Sequence, residues 1–90
     1  MRHVLEHNLE WERVLENAVN SFTYKMVLIL FTPMSDHTHQ IAWNPGVEVP
    51  DMSFSHNDIM SKFSDDIQIG WEDVDTATQY GIERVYWLKK

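Results

Sequence analysis

Cysteine is absent from this ninety-residue chain, so neither a disulfide framework nor a thiolate metal site can form. A secreted domain of this size would often need such staples, which makes a reducing cytoplasm the expected compartment. Glycine is scarce: the three residues at 46, 70 and 81 are not spaced to cradle a phosphate. Long apolar runs are missing as well. The longest, from Met26 to Phe31, is six residues, against the ~20 needed to cross a bilayer. Arg2, Glu6, Glu10 and Glu12 stand where a secretion signal would carry an apolar stretch, so neither an export signal nor a membrane anchor is expected. Basic residues are also few, seven against fourteen acids, for a formal charge of −7. That balance disfavours direct nucleic-acid binding and attachment to anionic membranes, both of which rest on Lys and Arg.

What is present is core material. Apolar residues make up 43% of the chain and aromatics 12%, including four Trp, a composition that folds rather than staying disordered. At this length one domain is expected, spanning residues 1–90. The charge is unevenly spread. Residues 48–75 hold Glu48, Asp51, Asp58, Asp65, Asp66, Glu72, Asp73 and Asp75 against Lys62 alone, a local charge of −7.

Hydrophobic spacing predicts an amphipathic helix over 3–22, with Val4, Trp11, Leu15, Ala18 and Phe22 on one face and Leu5, Leu9 and Val19 widening it. Glu6, Glu10, Glu12, Arg13 and Glu16 would cover the remaining surface. Residues 24–32 are apolar on both faces and suit a central strand that Pro33 stops. After a turn at 34–37, residues 39–43 read as a half-exposed strand forming a hairpin with the first. Asn44-Pro45-Gly46 ends it, and residues 47–52 should be an extended loop, with Pro50 opposing regular pairing. Ser55 and Asp58 resemble a capping box, with Phe54 and Ile59 as a hydrophobic staple, for a helix over 56–63. Ile67, Ile69 and Trp71 alternate as a strand. Asp73 or Asp75 would then cap a short helix through Tyr80 that Gly81 terminates, before a last strand over 83–88. The expected fold is α+β: a helix on a mostly antiparallel sheet of about four strands, in the order α-β-β-α-β-α-β.

Three groups of residues invite a functional reading. His37 and His39, in Asp36-His37-Thr38-His39, would project to one face of an extended segment, with His56 as a third metal ligand. The spacing is unspecific and falls on a turn, so solvated surface histidines are the favoured reading, and no cofactor is expected. The aromatic set divides. Trp11, Trp71 and Trp87 are assigned to the core, while Trp43, beside Asn44-Pro45-Gly46, is the best candidate for an exposed anchor. The final strand is apolar on both faces, which makes Val85 and Trp87 candidates for self-association. The acidic segment is the third group. Several of its carboxylates have local uses in caps and turns, yet together they suit a basic partner surface. Glu48, Asp51, Asp65, Asp66, Glu72, Asp73 and Asp75, with Trp43, are the expected partner-binding residues.

Nothing resembles a nucleophile elbow, a phosphate loop or a zincin helix, and no enzymatic activity is expected. The leading expectation is a small acidic protein-binding module, an inhibitor or regulator of the kind phages encode against host or defence enzymes. Its partner would be a protein with a basic surface, including a nucleic-acid-binding enzyme that the acids engage by mimicking nucleic acid. The alternatives are a structural subunit that forms homodimers or larger species through its aromatic last strand, and a metal-assisted enzyme around His37 and His39.

Overall fold

Asn8 decides where the first long helix begins. Its Oδ1 accepts the backbone N–H of Glu10 at 2.8 Å, closing an Asx turn that competes with helical hydrogen bonding. In the computed structural model of the chain, which describes residues 5–77 and 80–90, the expected helix is therefore divided. A 3-10 turn at Leu5–His7 precedes α1 at Trp11–Ser21; Val4 lies outside the described residues. The break swaps two expected exposures. Leu9 is solvent-exposed, whereas Glu6 is buried and accepts the backbone N–H of Phe31 at 2.6 Å. In α1 the stripe Trp11, Leu15 and Val19 is buried. The helix ends where Lys90 Nζ donates to the carbonyls of Val19 and Phe22, at 2.8 and 2.6 Å. A cation at that position also suits the helix dipole.

Among the described residues five strands follow, all paired antiparallel, in two sheets. β1 (Lys25–Leu30), β4 (Gln68–Asp75) and β5 (Ile82–Lys89) form a three-stranded sheet in the order β1-β5-β4. β2 (His39–Asn44) and β3 (Val49–Ser53) form a separate hairpin. The expected pairing of residues 24–32 with 39–43 is thus corrected, and β1 is an edge strand rather than a central one. The polar segment after Pro33 explains why no tight turn joins them. Thr32 Oγ1 donates to the Met52 carbonyl, Ser53 Oγ to the Pro33 carbonyl and the Ser35 N–H to the Phe54 carbonyl, at 2.6, 2.6 and 2.9 Å. These bonds carry the chain across to the hairpin. The centre of the larger sheet falls to β5, which is apolar on both faces.

The expected loop at 47–52 is a second correction, because Val49–Ser53 is a strand with Pro50 opposite Trp43. The Pro50 carbonyl accepts a hydrogen bond from His7 Nδ1 at 3.1 Å. That side of the residue therefore faces away from β2, where a missing N–H costs no ladder bond. A register shift between Gln40 and Ala42 leaves Ile41 as a bulge.

Ser55 caps α2 (His56–Met60), accepting the Asp58 N–H at 3.2 Å. The return half of the capping box is made differently. Thr38 Oγ1 accepts the Ser55 N–H at 3.1 Å and donates to the Asp58 carboxylate at 2.6 Å. Phe54 and Ile59, the proposed staple, are both fully buried. Beyond α2, β4 runs to Asp75, where a helix start was expected. Asp73 stands opposite Arg84 in the ladder and bonds to it, so its carboxylate caps nothing. The remainder of that expected helix, at 78–79, lies outside the described residues. Gly81, at φ +76°, instead helps turn β4 into β5, its carbonyl accepting the Thr76 N–H at 3.1 Å.

The result is a small α+β domain. Its core joins Trp11, Leu15 and Val19 of α1 to Leu28, Leu30, Tyr86 and Leu88 of the sheet, with Phe54, Ile59 and Phe63 alongside. On the side of the sheet facing away from this core Val27, Trp87 and Val74 are exposed, whereas Phe31 and Glu83, at one end, are buried. Among the described residues, no helix is long and apolar enough to cross a membrane.

Candidate interaction surface

Strand alternation sorts the acids of the segment 48–75. Asp65 and Asp66 occupy an exposed turn that the Ile67 N–H closes onto the Ser64 carbonyl, at 3.1 Å. Ser64 Oγ donates to the Asp66 carboxylate, and this bond holds the carboxyl below its usual range. Glu72, Asp73 and Asp75 follow along β4, all exposed. β4 pairs only with β5, so its other side is a free edge. Asp73 is engaged there: Arg84 Nε and Nη2 grip its carboxylate at 2.6 and 2.9 Å. That hydrogen-bonded cation lowers the Asp73 pKa. Asp65, Asp66, Glu72 and Asp75 thus all remain exposed along this margin of the sheet: Asp65 and Asp66 on the turn leading into β4, Glu72 on the outer face beside Val85, and Asp75 on the opposite face at the far end of the strand.

Glu48 and Asp51 belong to the other sheet. Glu48 is exposed on the β2–β3 turn with φ at +54°. Asp51 is the clear correction to the expected partner-binding set, being only 1% exposed. It accepts hydrogen bonds from Asn44 Nδ2 and the Tyr80 hydroxyl, each at 2.8 Å, and His7 Nδ1 lies 3.2 Å away. Burial and this bond raise the Tyr80 pKa. Asp51 ties β3 to the 3-10 turn and cannot reach a partner. Trp43 is 47% exposed, as expected of an anchor, with Ile41 and Val47 also exposed on the hairpin.

The assignment of Trp71 and Trp87 to the core is corrected, since they are 45% and 43% exposed. Trp87 falls on the outer side of β5, while Tyr86 and Leu88 take the core side. Trp71 lies on the strand at the open edge, where Arg84 stacks 4.2 Å from its ring centroid.

Around that stack lies a cluster that spacing alone could not reveal. Tyr86, fully buried, bonds through its hydroxyl to His56 Nδ1 at 2.8 Å, and Arg84 Nη1 lies 3.5 Å from the same nitrogen. An arginine only donates, so His56 Nδ1 presents its lone pair here. Burial first, and then the Arg84 charge, depress the His56 pKa. Burial likewise raises the Tyr86 pKa. The cluster contains a base and a phenol but is filled by its own contacts, and it fastens α2 to β4 and β5.

His37 and His39 do come together. Their rings stack with centroids 4.6 Å apart, and His39 Nδ1 lies 2.8 Å from the His37 carbonyl oxygen. His56 does not join them, and the described residues contain no group of three metal-ligating side chains. A polar hollow of about 290 Å³ separates α1 from α2, lined by Trp11, Glu12, Thr38, Asp58 and Lys62 among others. Lys62 spans it with ion pairs to Glu12 and Glu16, at 2.7 and 3.2 Å. No family model matches the chain, and no curated protein or solved structure is detectably similar to it.

Proposed function

We propose that the protein is a small protein-binding module, an inhibitor or regulator, that engages a basic partner through the acidic free edge of β4. One observation carries this reading: Asp65 and Asp66, on the turn that leads into β4, and Glu72 and Asp75, on β4 itself, all stand exposed beside a strand that is paired on one side only. A free edge offers unpaired backbone N–H and C=O groups to an incoming extended segment. The acids decide which segment is accepted. They repel a second copy of the same strand and attract one rich in Lys or Arg, so one set of charges supplies both specificity and protection against edge-to-edge aggregation. An enzyme whose groove is basic because it binds nucleic acid is the partner class that fits best. Inhibition of such an enzyme, in the manner of a phage-encoded inhibitor, is the corresponding role.

The test is titration of an extended Lys/Arg-rich peptide, alongside pull-down of host proteins at low and high salt. Raising ionic strength from about 0.05 to 0.5 M should release the captured proteins, because exposed charges are screened over that range. The triple variant Asp65→Lys, Asp66→Lys, Asp75→Lys should weaken peptide binding by about tenfold or more, equivalent to ~1.4 kcal/mol. Salt-independent binding, or full affinity in that variant, would overturn the proposal.

A further inference from the structure

We infer that the outer face of the β1-β5-β4 sheet is self-complementary and docks face to face against a second copy of this chain. Register places three rows of outer-facing residues across the sheet: Lys25, Lys89 and Gln68; then Val27, Trp87 and Gly70; then Ile29, Val85 and Glu72. Val27 and Trp87 are 40% and 43% exposed, and Val74 extends the apolar strip along β4 at 39%. The strip has a basic end and an acidic end. Lys25 and Lys89 converge on the Tyr24 ring, their Nζ atoms 5.2 and 5.7 Å from its centroid. Neither is in ion-pair contact with a described carboxylate. Glu72 stands at the other end.

This polarity selects the partner and the symmetry. A two-fold axis lying in the face and running across the strands lays the lysine row of one copy over the Glu72 row of the other, with the Trp87 rows meeting at the centre. An axis along the strands would set lysines against lysines. Gly70 supplies the relief a central indole needs. With no side chain there, a hollow of about 350 Å³ opens beside Trp87, bounded by Lys25, Val27, Gln68 and Lys89. The Trp87 ring leans across it, with Cε3 3.4 Å from where a Cβ at 70 would stand. A footprint three strands wide and about 20 Å long covers roughly 300 Å² per copy, against the ~800 Å² of a standard interface. The dimer is accordingly weak and reversible. It uses the face of the sheet where the proposed partner-binding role uses the edge; Glu72 is common to both surfaces, whereas Asp65 and Asp66 belong to the edge alone.

Sedimentation equilibrium on the full chain tests it, from about 10 μM to 1 mM. The mass should rise from 10.7 kDa toward twice that value. Trp87→Thr, an exposed change compatible with folding, should remain monomeric throughout. Glu72→Lys should weaken association by about tenfold, and adding Lys25→Glu and Lys89→Glu should restore it. Asp65→Lys with Asp66→Lys should leave it unchanged, which separates this surface from the partner-binding edge. A wild-type chain that stays at 10.7 kDa throughout, a Trp87→Thr variant that dimerises like it, or a charge swap that fails to restore association would each overturn the inference.

Discussion

Two carboxylates close in sequence to the acidic edge illustrate how residue chemistry depends on placement. Asp65 is exposed, and its replacement by Ala should change stability by no more than about 0.5 kcal/mol. Asp51, held by Asn44 and Tyr80 in the interior, behaves differently. Asp51→Ala removes the acceptor of two part-buried donors, of which Asn44 Nδ2 keeps its bond to the Val49 carbonyl, and should cost about 1–3 kcal/mol, read as a lower urea midpoint with an unchanged slope. Equal effects at the two positions would refute the structural role given to Asp51. His56 offers a second contrast. Its folded pKa lies below the ordinary imidazole value of 6.5 because burial and Arg84 disfavour the imidazolium. The unfolded chain therefore binds the proton more tightly, and stability contributed by neutral His56 is fully present above 6.5 and lost as pH falls below it. Asp73, depressed below 3.8 by Arg84, contributes stability that is present above 3.8 and lost as pH falls through its lower folded value. Urea midpoints between pH 7.5 and 5.5 should therefore decline more steeply for the wild type than for His56→Gln. Parallel slopes would remove His56 as a source of the dependence.

Legibility differed between elements for physical reasons. The α+β class, the buried stripe of α1, the Ser55 cap and the last strand were readable, because each rests on local periodicity or a single side-chain bond. Strand partners were not. β1 and β5 are both rich in apolar residues, and their pairing joins Lys25 to Lys89, far apart in the chain. Nothing local encodes that choice. Local turn chemistry misled at Asp73 and Asp75, which suit helix caps, until the cross-strand grip of Arg84 claimed the first of them. Proline misled at 50 because its cost depends on which side of a strand faces the partner. The candidate site was legible in the same measure. The acids at 65–75 fall on one strand and its leading turn, so sequence proximity became spatial proximity. Asp51 is only fourteen positions from Asp65 yet belongs to another sheet. The cluster of His56, Tyr86, Arg84 and Trp71 draws on three elements, and no spacing rule joins them.

At the scale of the whole molecule, surface apolarity and net charge oppose each other. Trp43, Trp71 and Trp87 are all about half exposed, together with Val27 and Val74. At pH 7 a charge of −7 opposes the association of copies and limits it to the weak dimer. Toward the isoelectric point near 5.0 this repulsion vanishes, while the exposed indoles keep their preference for leaving water. Solubility should therefore pass through a minimum near pH 5.0. Two variants separate the contributions. Trp87→Thr leaves the charge untouched and should make the minimum shallower at the same pH. Asp65→Lys with Asp66→Lys leaves the sheet face untouched and should move the minimum upward by about one pH unit, because four charges are added to a small chain. Light scattering across pH 4 to 8 distinguishes them. If Trp87→Thr moved the minimum, or the lysine variant only deepened it, apolar contact and net charge would not be the separable forces that the placement of these residues implies.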